Sequence, residues 1–515
     1  MEDGAMSSST KVMSHSKTKW YKWEEIDWHK LGRRIFKLQK RIYQASRNNN
    51  LILMRNLQKL LLRSKRAKLL AVKKVAQDNN GKNTAGIDGV KKLSSSQKMT
   101  LAHSLKLSEK CKPIRRVWIP KPGKSEKRPL GIPVMADRAK QALVKMALEP
   151  QWEAHFEPNS YGFRPSRSCW DAEQAIYSGL NKKDGAYVLD ADISGCFDNI
   201  DHHQLLQKLN TFPKLRRVIK GWLKAGVMEG DSYYRPKAGT PQGGVISPLL
   251  ANIALHGMEY EIKEAFEQEL FEYLKQRNKG YSSRATARKS LSVIRYADDF
   301  VIMHESKKII VRVKQFVLQW LLKMGLQLKE SKTKIVHTLK KSSDNEAGFD
   351  FLSFNIRQYP TMSRKSGKVL LIKPSRKSQK MHRLSIAQMI KRKIAVTQEE
   401  LIDSLNPIIK GWSNYFRTSC ANRIFSQIDD YMFHRLWSWA CKRHPNKGVH
   451  WIKSKYFRRC NENSWRFATA SGKILVLHSD IRIKRHIKIK GLHSPYDGDT
   501  EYWSRRNTTR SMRCI

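Results

Sequence analysis

Two adjacent carboxylates, Asp298 and Asp299, sit in the run SVIRYADDFVIMHES between short apolar stretches at 293–297 and 300–303. Such flanks predict a tight β-hairpin with both acids at its tip. Like charges side by side repel, and a stable fold rarely pairs them without a cation to neutralise them. Upstream, in AYVLDADISGCFDNIDH, residues 186–189 read as a strand, followed by Asp190 and Asp192 and then a helix carrying Leu205 and Leu206. A strand-end acid beside an Asp-Asp hairpin is the arrangement that holds two divalent cations about 3.5–4 Å apart, where they clamp the attacking and leaving oxygens of a phosphoryl displacement. All-oxygen ligands suit Mg²⁺. The plain alternatives are a solvated Asp-Asp turn and, for Asp192, a helix N-cap.

The chain that must position these acids has 515 residues, enough for several domains. Its 99 Lys and Arg outweigh 45 Asp and Glu, a formal charge of +54. Self-repulsion on that scale calls for a polyanion, and nucleic acid is the natural one. A membrane surface is excluded as the partner: no apolar span reaches about 18 residues, and neither a signal peptide nor a lipidation motif is read. The apolar share is 40%, enough for real cores, while a mean hydropathy of −0.60 leaves much polar surface. Seven scattered cysteines without a C-x-x-C pair read as free thiols in a reducing compartment and argue against zinc. A cytoplasmic, bacterial location follows. The early acids Glu2 and Asp3 argue against a transit peptide, although an organellar origin stays open.

Residues 1–19 are polar and Ser-rich and are expected to be disordered. From Trp28 to Gln77 there are fifteen Lys or Arg and no acid, and Leu31, Ile35, Leu38 and Ile42 recur at helical spacing. These helices bury one stripe and present bases on the other. Arg33, Arg34, Lys37, Lys40 and Arg41 are therefore candidates for RNA contact. The segment 280–290 reads as an exposed basic loop. Farther on, RKSGKVLLIKPSRKSQK reads as a β-ribbon plus a basic linker. Leu401, Leu405, Ile408, Ile409 and Trp412 form a helical stripe, and Trp412, Tyr415 and Phe416 read as core more readily than as base-stacking residues. The run IRIKRHIKIK (481–490) alternates apolar and basic residues, as a strand with one buried face and one phosphate-facing side does. Lys484, Arg485, Lys488 and Lys490 are its candidate DNA contacts.

Taken together, YADD, ADISGCFD, GTPQGGVISPLLANIAL, RPLGIPVMADRAKQA and NSYGFRPSRS resemble the reverse-transcriptase motifs of group II intron-encoded proteins. LNPIIKGWSNYFR resembles their maturase segment. The resemblance implies an α+β, right-hand polymerase with fingers (86–185), palm (186–356) and a helical thumb (357–440). A basic helical N-terminal extension (20–85) precedes it and a DNA-binding tail (441–515) follows it. It implies an RNA-directed DNA polymerase that also binds its intron RNA to assist splicing, with two Mg²⁺ ions, deoxynucleoside triphosphates and target DNA as the remaining partners.

By the same resemblance Asp192 and Asp298 are metal ligands, Ile193 lends its carbonyl, and Asp299 is a neighbouring acid with a smaller share. Phe197, five residues after Asp192, would exclude a ribose 2′-hydroxyl. Lys121 and Arg128 would meet the triphosphate, Gln242 of PQGG the nucleotide or template, and Lys332 the leaving pyrophosphate. FDFLSFNI (349–356) resembles the primer-grip hairpin, with Ser353 where the family has Gly.

Other readings are a retron-, CRISPR-type or domesticated reverse transcriptase, and an RNA-binding splicing factor that no longer needs to polymerise. A viral-type RNA polymerase fits poorly, since such enzymes carry Asp where Phe197 stands and Gly where Ala297 stands. After SPYDGDTEYWS (494–504), where many relatives continue into an HNH endonuclease, this sequence holds no complete one, and no bottom-strand DNA cleavage is expected of it.

Overall fold

The computed structural model describes residues 22–120, 126–240, 242–277, 282–342, 345–459 and 465–512; the stretch 1–19 expected to be disordered lies outside them. The chain opens on the helix Trp28–Arg47, N-capped by Asp27, whose carboxylate accepts from Lys30 N–H at 2.8 Å. Its stripe buries Leu31, Ile35 and Ile42 as the spacing predicts, and this face and the helix Leu51–Arg63 pack against the helix Met135–Glu153. Amides fix the packing: Gln39 Nε2 donates to Met146 O at 3.0 Å, and Gln58 Nε2 to Gln151 Oε1 at 2.7 Å.

The strands are β1 (Ile114–Pro120), β2 (Lys127–Ile132), β3 (Tyr187–Asp192), β4 (Val227–Glu229), β5 (Ser232–Tyr234), β6 (Ser292–Tyr296) and β7 (Asp299–His304), then β8 (Lys334–His337), β9 (Phe349–Phe351), β10 (Phe354–Pro360), β11 (Lys368–Pro374), β12 (Phe457–Arg459) and β13 (Trp465–Phe467). They form sheets ordered β2-β1-β4-β5, β6-β7-β3-β8, β11-β10-β9 and β12-β13. The second sheet, antiparallel throughout, is covered on both faces. Leu189, Ala191, Val293, Phe300 and Ile302 enter one core, and Val188, Ile294, Val301, Met303 and Val336 enter another. This is the period-two alternation of a strand buried on both sides. A third core joins the helices Arg376–Arg392, Gln398–Phe416 and Asn422–Arg443 through Ile386, Leu405, Ile409, Ile428 and Trp439. The architecture is α+β.

Both expected hairpins form. In the first, Tyr296 pairs with Asp299, so Ala297 and Asp298 make a two-residue turn and Asp299 already belongs to β7. In the second, Phe351 pairs with Phe354 and the turn residues Leu352 and Ser353 both take positive φ (48° and 67°). That is the left-handed pair of a type I′ hairpin turn. Ser353 adopts it without glycine's freedom, and Tyr415 Oη donates to Leu352 O at 2.9 Å across the turn. Trp412, Tyr415 and Phe416 are packing residues: Tyr415 stacks on Phe354 at 5.4 Å, Trp412 on His382 at 4.5 Å, and Phe416 is buried.

Two expectations fail. Within 280–290, residues 280 and 281 lie outside the description, and Arg284–Ser290 is a helix rather than a loop, N-capped by Ser283. The run 481–490 forms no strand. Its backbone is held by other elements instead: Lys484 N–H donates to Arg417 O at 2.8 Å and Ile489 N–H to Asp171 Oδ1 at 2.8 Å. No helix among the described residues is long and apolar enough to cross a membrane.

Candidate active site

Asp192 ends β3 directly opposite Asp299, the first residue of β7, and Asp298 stands in the turn beside them. The pairing register of one sheet thus gathers three acids from two sequence segments. None caps a helix; that role falls to Asp201, whose carboxylate accepts from Gln204 N–H at 2.7 Å. Ile193 forms an isolated bridge with Leu328, whose hydrogen bonds run from Ser194 N–H to Gln327 O (2.9 Å) and from Lys329 N–H to Asp192 O (2.8 Å). Those two bonds leave the Ile193 carbonyl out.

Burial raises the Asp298 carboxyl from its ordinary value, and the Asp192 charge adds to this. Asp299 is pushed up to about 7 by burial and then by Asp298 and Asp192. Asp190, two residues back between Val301 and Lys334, is also pushed up to about 7, by burial, Asp299 and Asp350. Lys332, in the turn Glu330–Lys332, forms an ion pair with Asp192. Against a burial that would lower it, that pairing holds its ammonium above the usual lysine value.

The candidate donors, three carboxyls and a main-chain carbonyl, are all oxygen, and Asp298 and Asp299 are short of compensating charge, a combination that would suit hard divalent cations. Among the described residues no three acidic, His or Cys side chains converge as a ready cluster. Lys332 engages the Asp192 carboxylate in its place.

The hairpin is braced by contacts that its own motif does not show. Arg295, 3% exposed in β6, donates from Nη1 to Asn252 Oδ1 (3.0 Å) and to Ala297 O (3.2 Å), and Asn252 Nδ2 donates to Gly162 O at 2.8 Å. The segment 159–161 runs beside β6, with Arg295 N–H donating to Asn159 O and Tyr161 N–H to Arg295 O. A Cβ on Gly162 would come within 2.3 Å of Ala297 N. NSYGFRPSRS is therefore a brace for the turn, and the one signal of it was a lone Arg inside an apolar strand.

Around the acids, Phe197 is half-buried and meets Phe163 edge-on at 6.3 Å. Gln242 Nε2 donates to Asp198 Oδ2 at 2.9 Å, and its carbonyl accepts from Gly131 N–H. Gly243 has φ 109°, and a Cβ there would lie 2.6 Å from Gly131 O, so this backbone crosses β2 where only glycine fits. A cavity of about 380 Å³ opens beside it, lined in part by Arg116, Asp198, Lys237 and Gln242. Arg128 is exposed on β2, and its field reaches Asp298. Lys121 and Pro241 lie outside the described residues.

Arg33, Arg34, Lys37 and Arg41 are exposed on one face of Trp28–Arg47, and Lys40 is half-buried with its ammonium 5.3 Å above the Phe36 ring. In the tail Arg485 and Lys490 are exposed and Lys484 is half-buried. Burial lowers the Lys488 ammonium, so this lysine is turned partly inward rather than aligned with a phosphate-facing strand edge.

The chain thus joins an acid-tipped hairpin to an acid-ended strand, while a glycine-rich segment crosses β2. Residues 119–356 match the family model for reverse transcriptase (RNA-dependent DNA polymerase). Residues 23–105 match that for the N-terminal domain of reverse transcriptase, and 379–457 the group II intron maturase-specific domain. The chain is 34% identical over 305 residues to the group II intron-encoded protein LtrA of Lactococcus lactis subsp. cremoris, covering 50% of this chain and 49% of LtrA. It is 32% identical over 288 residues to protein YkfC of Escherichia coli (strain K12), covering 51% and 75% respectively. Identity to the 91 kDa protein in cob intron of Schizosaccharomyces pombe is 28% over 422 residues, 71% of this chain and 51% of that protein. The chain belongs to the family of group II intron-encoded reverse transcriptases and maturases. It spans about half the length of LtrA.

Proposed function

We propose that the protein is an RNA-directed DNA polymerase and the maturase of a group II intron. It binds the intron RNA to assist splicing and copies it into DNA at a target site. The observation that carries this reading is the meeting of Asp192, Asp298 and Asp299 at the ends of β3 and the β6–β7 turn. In the right-hand arrangement we propose, β1, β2 and their surroundings act as fingers, the sheet β6-β7-β3-β8 as palm and the helices Arg376–Arg392 to Asn422–Arg443 as thumb. The tail is the proposed grip on target DNA.

The three acids and the Ile193 carbonyl would hold two Mg²⁺ ions, which supply activation of the primer hydroxyl and charge neutralisation of the leaving group. The chain's own groups do the rest. Arg128, with Lys121, draws the triphosphate of the deoxynucleotide to the side away from the acids. Lys332 keeps a proton on Nζ beside Asp192, ready for the departing pyrophosphate. Phe197 bars a 2′-hydroxyl by its bulk, and Gln242 is aligned on the nucleotide or template by its bond to Asp198. The exposed bases of Trp28–Arg47 suit the phosphates of a bound RNA. The free cysteines among the described residues, Cys111, Cys169, Cys196, Cys420 and Cys441, fit a reducing compartment such as the cytoplasm.

The test is extension of a DNA primer on an RNA template in Mg²⁺. The Asp298→Ala/Asp299→Ala double variant should fall to background, whereas extension surviving at the parent rate removes the assignment.

A further inference from the structure

Away from those acids, the helix Cys169–Leu180, the edge strand β11, the turn before Asn422–Arg443 and the tail enclose a cavity of about 510 Å³. That size lies within the range of about 300–1,000 Å³ typical of small-molecule sites. Glu173 lies on its wall with 2% of its surface exposed. Thr418 Oγ1 donates to Glu173 Oε2 at 2.7 Å, and among the described residues Oε1 accepts no hydrogen bond. Burial drives this carboxyl up to about 7, relieved by Thr418 alone. A buried carboxylate short of donors is costly, and this one faces open space. Arg364, Arg423 and Arg485 stand around the cavity, and Tyr177, Leu371 and Ile483 give it flat apolar wall.

We propose that this cavity binds a guanine nucleotide unit, with the base N1–H and N2–H donating to Glu173 and its phosphate held among the arginines. The chemistry selects guanine. Ionised, as it is at pH above about 7, the carboxylate only accepts, and guanine alone among the four bases offers two adjacent N–H donors on its Watson–Crick edge. Adenine and cytosine set one amine beside an acceptor nitrogen that would face the carboxylate, and uracil sets one N–H between two carbonyls. Oε2 keeps a lone pair beyond the one Thr418 uses, so both oxygens can accept. Arginine suits the phosphate through its charge and planar fork. The guanine belongs either to a free nucleotide or to an unpaired residue of a bound RNA; only the second source rests on the RNA-binding reading.

The experiment is calorimetric titration of the full chain, without divalent cation, with guanosine, inosine and adenosine 5′-monophosphates and with the pentamers UUGUU and UUAUU. Guanosine monophosphate should bind, and inosine monophosphate, which lacks the N2 amine, should bind about tenfold more weakly, the worth of one hydrogen bond to a charged group. Adenosine monophosphate should give no measurable binding. Glu173→Gln keeps the volume and can still accept from Thr418. It should lose the preference for guanine while keeping the parent's melting temperature and primer extension. Arg364→Ala with Arg423→Ala should reduce guanosine monophosphate to the affinity of guanosine. UUGUU binding far more tightly than the mononucleotide assigns the occupant to RNA, and equal binding assigns it to free nucleotide. Equal affinity for the guanosine and adenosine nucleotides on the parent protein, a result that depends on no variant, overturns the proposal. So does a guanine preference that survives in Glu173→Gln. Because the titration uses no template or primer, failure of the polymerase reading shows separately, in the extension assay.

Discussion

Two sets of buried acids in this strongly basic chain behave in opposite ways. At the β6–β7 turn, Asp298 and Asp299 are raised by burial and by neighbouring carboxylates, with Lys332 paired to Asp192 as the nearest relief. A second set of acids is saturated. Glu153 takes Arg164 through two bonds of 2.9 Å, with both side chains 1% exposed. Glu157, despite burial, is drawn down to about 2 by His256 and Arg295. Asp171 is likewise pulled below the carboxylate range, against its burial, by His486, the Ile489 N–H and Arg506. In a protein carrying 99 Lys and Arg, a basic partner for every acid is easily supplied. Acids with partners staple distant segments; acids without them keep their charge capacity for ions and substrate.

That contrast can be broken from either side. Exchanging the turn acids, as in Asp298→Ala/Asp299→Ala, should abolish extension while leaving the unfolding midpoint in denaturant unchanged. Exchanging a saturated acid does the reverse. Asp171→Asn leaves Arg506 and His486 buried without their anion, and should destabilise the fold by about 3–5 kcal/mol at pH 7, read by denaturant unfolding. The sign with pH follows from the depressed carboxyl. Its contribution is fully present above the unfolded value near 3.9 and is lost as pH falls through the folded one. The gap between parent and variant should therefore hold from pH 7 to about 5 and narrow only below about 4.

Smaller effects sharpen the site. Phe197→Ala opens room for a 2′-hydroxyl and should reduce discrimination against ribonucleotides by on the order of tenfold, read by single-nucleotide insertion kinetics; an unchanged ratio makes Phe197 a packing residue. Smallest is Ser353→Gly. It removes the cost of a left-handed L-residue at φ 67° and should stabilise the protein by about 1 kcal/mol, measured as a rise in melting temperature.

What was legible in the sequence was local. The stripe Leu31, Ile35 and Ile42 and the flanks of Asp298–Asp299 carry their own periodicity, and the structure follows both. The brace of the turn was not legible, because Arg295, Asn252 and Gly162 meet across long separations, 43 residues for Arg295 and Asn252 and 90 for Asn252 and Gly162. The run 481–490 misled for the same reason. Alternation fits any extended chain, and what fixes this one is Asp171, which lies 315 residues from His486. At Ser353 the turn type was set by strand register, so a residue without glycine's freedom takes a left-handed conformation.

On this reading the acids at the end of β3 and in the β6–β7 turn hold divalent cations, and saturated acids such as Asp171 do not. Mn²⁺ titration followed by electron paramagnetic resonance tests it most directly, on the parent, on Asp298→Asn/Asp299→Asn and on Asp171→Asn. The parent and Asp171→Asn should take up Mn²⁺ alike while the turn variant loses that binding; equal uptake by all three proteins would contradict the assignment.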